Sequence, residues 1–470
     1  MIKYLLSIFI IFFCIPHLVL SQVDHRHHQE HEEPDSTTVK ASEHHEQSSH
    51  QDIGHDMESV PSVLSLNLPM TVNASGTAWH PINSPMYMNF FSKGNWNIML
   101  HYGAFPAYTF QNPANPGFRS ANEVFLPTWA MAMASTKMGR KGLLTFRGMV
   151  SADPFIMGGA GYPLLYQTGE THLNEPLIDR QHPHDLFSEL SITYSHAITD
   201  DVDAYIYLGY PGEPAIGPPA FMHRLSGLNI PDSPLGHHWQ DATHIIYGVA
   251  TTGFRFKRLR VEGSWFTGRE PGENRLWFDK PRFDSWSGRI NYLLGNSFAL
   301  QASYSYLHSP EVHEPERDVN RITMSALHNV WFDDENVLSS SLVWGLNRSW
   351  DRKAPGMIFP SNSLLFETAL QMRRINIFAR TEILEKSFHE LGIEYQHDEN
   401  GHDEDDNVWI GTIKPGASIY LYKHNNFWLD AGFTISYHRT SHDLEAYYGS
   451  QNTMSYQVFI RMVPPRMAKH

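Results

Sequence analysis

A chain of 470 residues with 18% charged residues and a mean hydropathy of −0.37 is too polar on average for a bundle of membrane-spanning helices. Its formal net charge of −15 argues against a nucleic-acid partner, which needs a basic surface. Aromatic residues at 13% point to extensive apolar surface, in two or three soluble domains or in one large barrel behind a tail.

Residues 1–21 read as a secretory signal peptide. Lys3 supplies the positive start, Leu5 to Ile15 the apolar run, and Val19-Leu20-Ser21 a cleavage site ahead of Gln22. The single cysteine, Cys14, lies inside this segment, so a mature chain has neither disulfides nor thiolate metal sites. Residues 22–60 form a polar tail with too few apolar residues to bury a core, and disorder is expected there. The tail carries His25, His27, His28, His31, His44, His45, His50 and His55 among many Asp and Glu residues. Neutral imidazoles beside carboxylates suit Cu, Zn or Ni, and the irregular spacing predicts several weak, exchanging sites. The bland reading is a solvated acidic linker.

Residues 61–94 are a proline-containing transition, placed either inside a barrel as a plug or as a lead-in to its first strand. Met70, Met86, Met88 and His80 are possible soft ligands there, with packing as the better reading.

From residue 95 to the end the pattern is β. Phe427 to His438 sets it: Phe427, Leu429, Ala431, Phe433, Ile435 and Tyr437 alternate with Trp428, Asp430, Gly432, Thr434, Ser436 and His438. Strict period-two alternation makes a strand with one apolar and one polar face. About sixteen such stretches recur, separated alternately by short turns and long loops, the rhythm of a transmembrane antiparallel β-barrel. The fold class predicted is therefore all-β, with both chain ends on the short-turn, periplasmic side. Arg147, Glu189, Asp203, Glu262, Arg289, Glu367, Arg373, Arg380, Glu382, Asp430 and Arg461 are expected to face inward and pair across a wet lumen. A lipid-facing Arg or Lys would cost about 2–4 kcal/mol at mid-depth.

Two long loops carry the most chemistry. One ends Asp179-Arg180-Gln181-His182-Pro183-His184-Asp185, and the other contains Gly236-His237-His238-Trp239-Gln240-Asp241 and then His244. His182, His184, Asp185, His237, His238, Asp241 and His244 are the candidate metal ligands, because histidines and aspartates converging from the same barrel end can hold a transition metal. The alternative is that they simply hydrogen-bond one another and fix the loops. The acidic loop 396–406 either attracts cations or is solvated surface. The chain contains neither a Gly-x-Ser-x-Gly elbow nor a His-Glu-x-x-His helix. His438, Ser441, His442 and Asp443 are close in sequence without forming a recognisable triad, and an enzyme is not expected.

Over residues 95–463 the chain resembles Gram-negative outer-membrane β-barrels of the porin type. A His-rich tail ahead of a barrel is also similar in composition to the copper-resistance outer-membrane proteins. The tail departs from that family's Met-rich pattern, carrying only Met57. These resemblances imply an outer-membrane location, lipid contact, and metal binding, resistance or transport alongside periplasmic metal-handling proteins. A general porin or structural barrel is the alternative. If the tail is the metal store, replacing its eight histidines removes most metal uptake; if not, attention moves to the loop histidines.

Overall fold

Alternation builds the wall. Along Trp428–Thr440, Asp430, Thr434, Ser436 and His438 are buried while Phe433 and Tyr437 are exposed. The computed structural model describes residues 60–393 and 406–467. The leader, the eight tail histidines and the acidic stretch 396–405 lie outside the described residues.

Sixteen antiparallel strands close the barrel. They are β1 (Trp96–Ala104, resumed at Ala107–Gln111), β2 (Ala121–Phe125, resumed at Thr128–Met138), β3 (Gly142–Val150), β4 (Phe187–Thr199), β5 (Val202–Gly209), β6 (Val249–Phe256), β7 (Leu259–Phe266) and β8 (Ser285–Leu294). The circuit continues with β9 (Phe298–Leu307), β10 (Arg317–Trp331), β11 (Val337–Asp351), β12 (Phe359–Gln371), β13 (Ile375–Ser387), β14 (Asn407–Lys423), β15 (Trp428–Thr440) and β16 (Asn452–Val463). The interruptions in β1 and β2 fall at Pro106 and Pro127, which have no N–H to give the ladder. Closure comes from β16 against β1, with Phe459 opposite Ala107 and Met462 opposite Ala104.

The outer surface is a lipid-type belt. Phe254, Ile290, Ile413 and Val458 are exposed at mid-strand. Trp265, Trp286 and Trp409 lie toward the long-loop end, and Phe256, Tyr292 and Tyr422 toward the short-turn end. Two aromatic girdles around an apolar band are the transmembrane barrel pattern. The short turns include 139–141, 200–201 and 257–258, and both Trp96 and Val463 lie at that same end.

Inside, oppositely charged residues face each other across the ladder. Asp203 is opposite Arg255, Glu262 opposite Arg289, Glu367 opposite Arg380 and Asp430 opposite Arg461. The last three pairs close at 2.8 Å. Two expectations fail here. Arg373 belongs to the turn after β12, is 72% exposed and pairs with Glu335, because the strand ends at Gln371. The inner-wall charges do not face open water either, because two segments of the chain fill the lumen and take up their remaining hydrogen bonds.

The first segment, residues 60–88, occupies the short-turn half. Ser65 donates to Asp203, Arg260 to the Thr77 carbonyl and Tyr87 to Gln371. Arg147 donates to the Gly76 carbonyl at 3.0 Å, and Ser195 to the Val63 carbonyl at 3.0 Å. Beyond β16 the chain turns back, Arg466 bridging to Tyr87 and stacking on Trp331. The second segment is the loop 210–248, nearly all of it buried.

Candidate metal centre

Loop 210–248 is tied to the wall around much of the circuit. Arg224, with no exposed side-chain surface, donates to Asp241 at 2.6 Å and to Glu367 of β12 at 3.0 Å. Asp232 receives Arg380 and Lys414, the Gly236 N–H donates to Glu382 at 2.9 Å, and Arg461 donates to the Leu228 carbonyl at 3.1 Å. A buried charge is tolerated only when paired and hydrogen-bonded. These pairs therefore dictate where the loop sits, and with it the one-turn helix His237–Gln240.

Five of the predicted loop residues meet in one file of imidazoles. Ring centres are 5.6 Å apart for His184 and His244, 5.2 Å for His244 and His237, 5.5 Å for His237 and His238, and 6.1 Å for His238 and His182. Two imidazoles on one tetrahedral ion, with metal–nitrogen bonds of about 2.0–2.1 Å, have ring centres roughly 5 Å apart. The His244–His237 spacing matches that value.

Four of these rings are held the same way. His184 Nδ1 is 2.9 Å from Asp153, His237 Nδ1 2.7 Å from Asp241, and His182 Nδ1 3.0 Å from Glu170. His244 Nδ1 is 2.9 Å from the Asp241 carbonyl. An oxygen acceptor at Nδ1 keeps the neutral ring's proton there and leaves Nε2 as the lone-pair donor, the orientation that metal-ligating histidines use. The Nε2 atoms of His184 and His244 are buried without a hydrogen-bond partner.

Electrostatics favour the neutral rings. Burial, with His237 and His184 close by, pushes His244 down to about 3, and burial likewise lowers His182 and His237. Burial would raise Asp241, but Arg224 and His237 hold it at about 2, so it stays ionised as the orienting acceptor.

At the loop end of the file, His238 meets two carboxylates. His238, Glu270 and Glu311 present ligand atoms all within 4.8 Å of one another, the one such group of three among the described residues. His238 Nδ1 is 3.4 Å from Glu270 and 3.8 Å from Glu311. Burial pushes His238 down, but the two glutamates outweigh it and pull the ring above the usual histidine range. Burial and the charge of Glu270 push Glu311 up to about 8. His238 and Glu311 line a cleft of about 120 Å³ together with Glu170, His313, Glu314 and His389. Arg317 and Arg321 line the same cleft and offset part of its negative charge.

The structure thus brings together His182, His184, His237, His238, His244 and Asp241. Asp185 is turned away to Arg275 at 3.3 Å, so it serves as an ion-pair partner instead of joining the predicted ligand set. Asp153, Glu270 and Glu311 come from segments distant in sequence, and no spacing could have pointed to them. Glu170 lies 12 residues before His182 and meets its ring only in the fold. His438 faces the lumen beside Tyr166, while exposed His442 pairs with Glu445 at 3.0 Å, so those two histidines serve different surroundings.

No protein-family model and no curated protein matches the chain. Among solved structures it is similar to the anion-selective porin from Comamonas acidovorans, at 10% identity and TM-score 0.45 over 78% of this chain and 99% of that one. It is also similar to Salmonella typhi OmpF in complex with daunomycin, at 10% identity and TM-score 0.47 over 80% and 100%. A third is the outer-membrane channel DcaP of Acinetobacter baumannii, at 7% identity and TM-score 0.42 over 80% and 99%. The barrel itself is established by its strand pairing.

Proposed function

We propose that the protein is an outer-membrane barrel that handles divalent transition metals, with copper, zinc or nickel as cargo. The observation that carries this reading is the buried imidazole file, with four rings anchored through Nδ1 to oxygen acceptors. Hydrogen bonding among loop residues does not require two of those rings to bury an unpartnered Nε2. The histidines form a row of neighbours, and only His238 joins a group of three converging ligands. A row of low-coordinate positions suits hand-off along the lumen better than permanent storage. The carboxylate-lined cleft is the entry in this reading, since its charge concentrates cations. The tail histidines, from His25 to His55, supply further weak metal sites in this reading, alongside periplasmic metal-handling proteins.

A general porin is the second reading, favoured by the barrel architecture alone. It leaves the histidine file and the lumen-filling segments without a role.

The test is Zn²⁺ titration of the purified full chain at pH 7.5. The first variant has the eight tail histidines replaced by Ala; the second adds His237→Ala and His244→Ala. The first loses weak sites and keeps the lumen site, and the second loses both. Equal uptake by all three proteins rules the reading out. For orientation, trypsin applied to intact cells should cut after Lys353, 75% exposed in a long loop, and spare Lys141 in a short turn. The reverse pattern would invert the barrel.

A further inference from the structure

Barrel walls ordinarily present polar residues to the lumen. The short-turn half departs from this on two adjacent strands. Met99 of β1 lies opposite Met133 of β2, and His101 opposite Met131. Opposed residues on one face have Cβ atoms about 4.5–5.5 Å apart, so these form a contiguous patch. The patch is one wall of a cavity of about 70 Å³. The segment 60–88 supplies Met70, Met86, Met88 and His80 to the other wall, and the long loop supplies His223. Six thioethers and three imidazoles therefore border one cavity.

Methionine often fills gaps in cores, and packing alone would account for the thioethers. It does not account for the imidazoles. His80 is 6% exposed, yet its Nε2 has no hydrogen-bond partner. Leaving such an atom unpaired costs about 1–3 kcal/mol. The His101 and His223 rings are 5.5 Å apart, and the Trp129 indole packs against both, at 4.5 and 5.0 Å. Gly103 admits that indole: a Cβ there would lie 2.8 Å from Trp129 Nε1.

We propose that this cavity is a second metal site, built for a soft monovalent ion of the Cu(I) or Ag(I) class. Thioether donors select such ions, and imidazole is compatible with copper. Charge points the same way. Among the described residues the cavity lining holds no carboxylate, and its one guanidinium is Arg147, already paired with Glu189 at 3.2 Å. A neutral ligand set beside a cation disfavours a divalent ion. The inference does not depend on the histidine file and stands if that file binds nothing.

The test uses the full chain with its eight tail histidines replaced by Ala, so that the tail cannot mask the result. Ag⁺ is titrated calorimetrically into this protein and into the same protein carrying Met88→Leu and Met131→Leu. Those substitutions remove two sulfurs and keep the volume, so the barrel should fold, which its heat-dependent electrophoretic mobility checks. Ag⁺ affinity should fall by roughly 10–100-fold or more, the loss typical of disturbing even an outer-shell partner. Zn²⁺ affinity should not change. Should the double variant fail to fold, the X-ray absorption spectrum of the Cu(I)-loaded parent decides instead, with mixed sulfur and nitrogen scatterers expected. Unchanged Ag⁺ affinity in the folded variant, or a spectrum without sulfur, overturns the proposal.

Discussion

The two halves of the lumen solve the burial of imidazoles differently. At the long-loop end four of the five rings have an oxygen acceptor behind Nδ1, and carboxylates from Asp153, Glu170, Asp241, Glu270 and Glu311 surround the file. At the short-turn end the rings of His80, His101 and His223 sit among thioethers and an indole. The first environment is ionic and suits divalent cations; the second is neutral and suits soft monovalent ones. One barrel thus presents two ligand chemistries in series, separated by the residues around Phe221, whose ring lies 6.1 Å from His184 and 5.2 Å from His237.

The comparison breaks most completely at Arg224. Arg224→Met strips Asp241 of its guanidinium partner and leaves Glu367 with Arg380 alone, and breaking such a buried ion pair costs about 3–5 kcal/mol. The heat-denaturation midpoint should fall sharply and Zn²⁺ binding should weaken with it, because the loop that carries Asp241 and His237 loses an anchor to the wall. Ag⁺ binding should survive in whatever fraction stays folded. A midpoint equal to wild type would show that the loop is not anchored through this pair.

A narrower cut removes one acceptor. Asp153→Asn deprives His184 of its anionic partner, and Zn²⁺ affinity should drop about 10–100-fold, the usual effect of losing an outer-shell hydrogen bond. Ag⁺ affinity should stay put. Equal losses for both ions would mean that the two halves act as one site.

The smallest expected effect is at the joint between the halves. Glu213 of the long loop accepts a hydrogen bond from Ser75 of the N-terminal segment at 3.2 Å. Burial, reinforced by Glu189 and opposed by Arg289, pushes its carboxyl up to about 8. The unfolded chain ionises Glu213 near 4.5, well before the folded one, so this group's contribution makes stability decline as pH rises from about 4.5 to 8. Glu213→Gln should remove that slope and leave the variant relatively more stable at pH 8 than at pH 5. Parallel melting profiles for the two proteins would contradict it.

How much of this was legible in the sequence follows from which forces are local. Most strands declare themselves through their own alternation and the rest through the rhythm of turns around them, so all sixteen wall strands could be read. The motifs His182-Pro183-His184 and His237-His238 could be read because neighbouring histidines in a loop are uncommon. Their carboxylate partners could not, because Asp153, Glu270 and Glu311 meet the file only after three separate loops fold toward the lumen. The methionine patch was hidden for another reason. In Trp129-Ala130-Met131-Ala132-Met133-Ala134 both phases of the alternation are apolar, so the pattern does not say which face is inside. The structure turns Trp129, Met131 and Met133 inward and Ala130 and Ala132 outward. The expectation of a wet lumen failed because the local pattern leaves residues 61–94 open between plug and lead-in and does not show how far residues 210–248 fold into the pore.

The most direct test of metal handling inside the barrel is anomalous X-ray diffraction from crystals of the full chain soaked in Zn²⁺, recorded on both sides of the zinc absorption edge. The account predicts anomalous density within bonding distance of His238, Glu270 and Glu311, and a second peak beside Nε2 of His244. Anomalous density confined to the outer surface of the protein, with none along the file from His184 to His238, would contradict it.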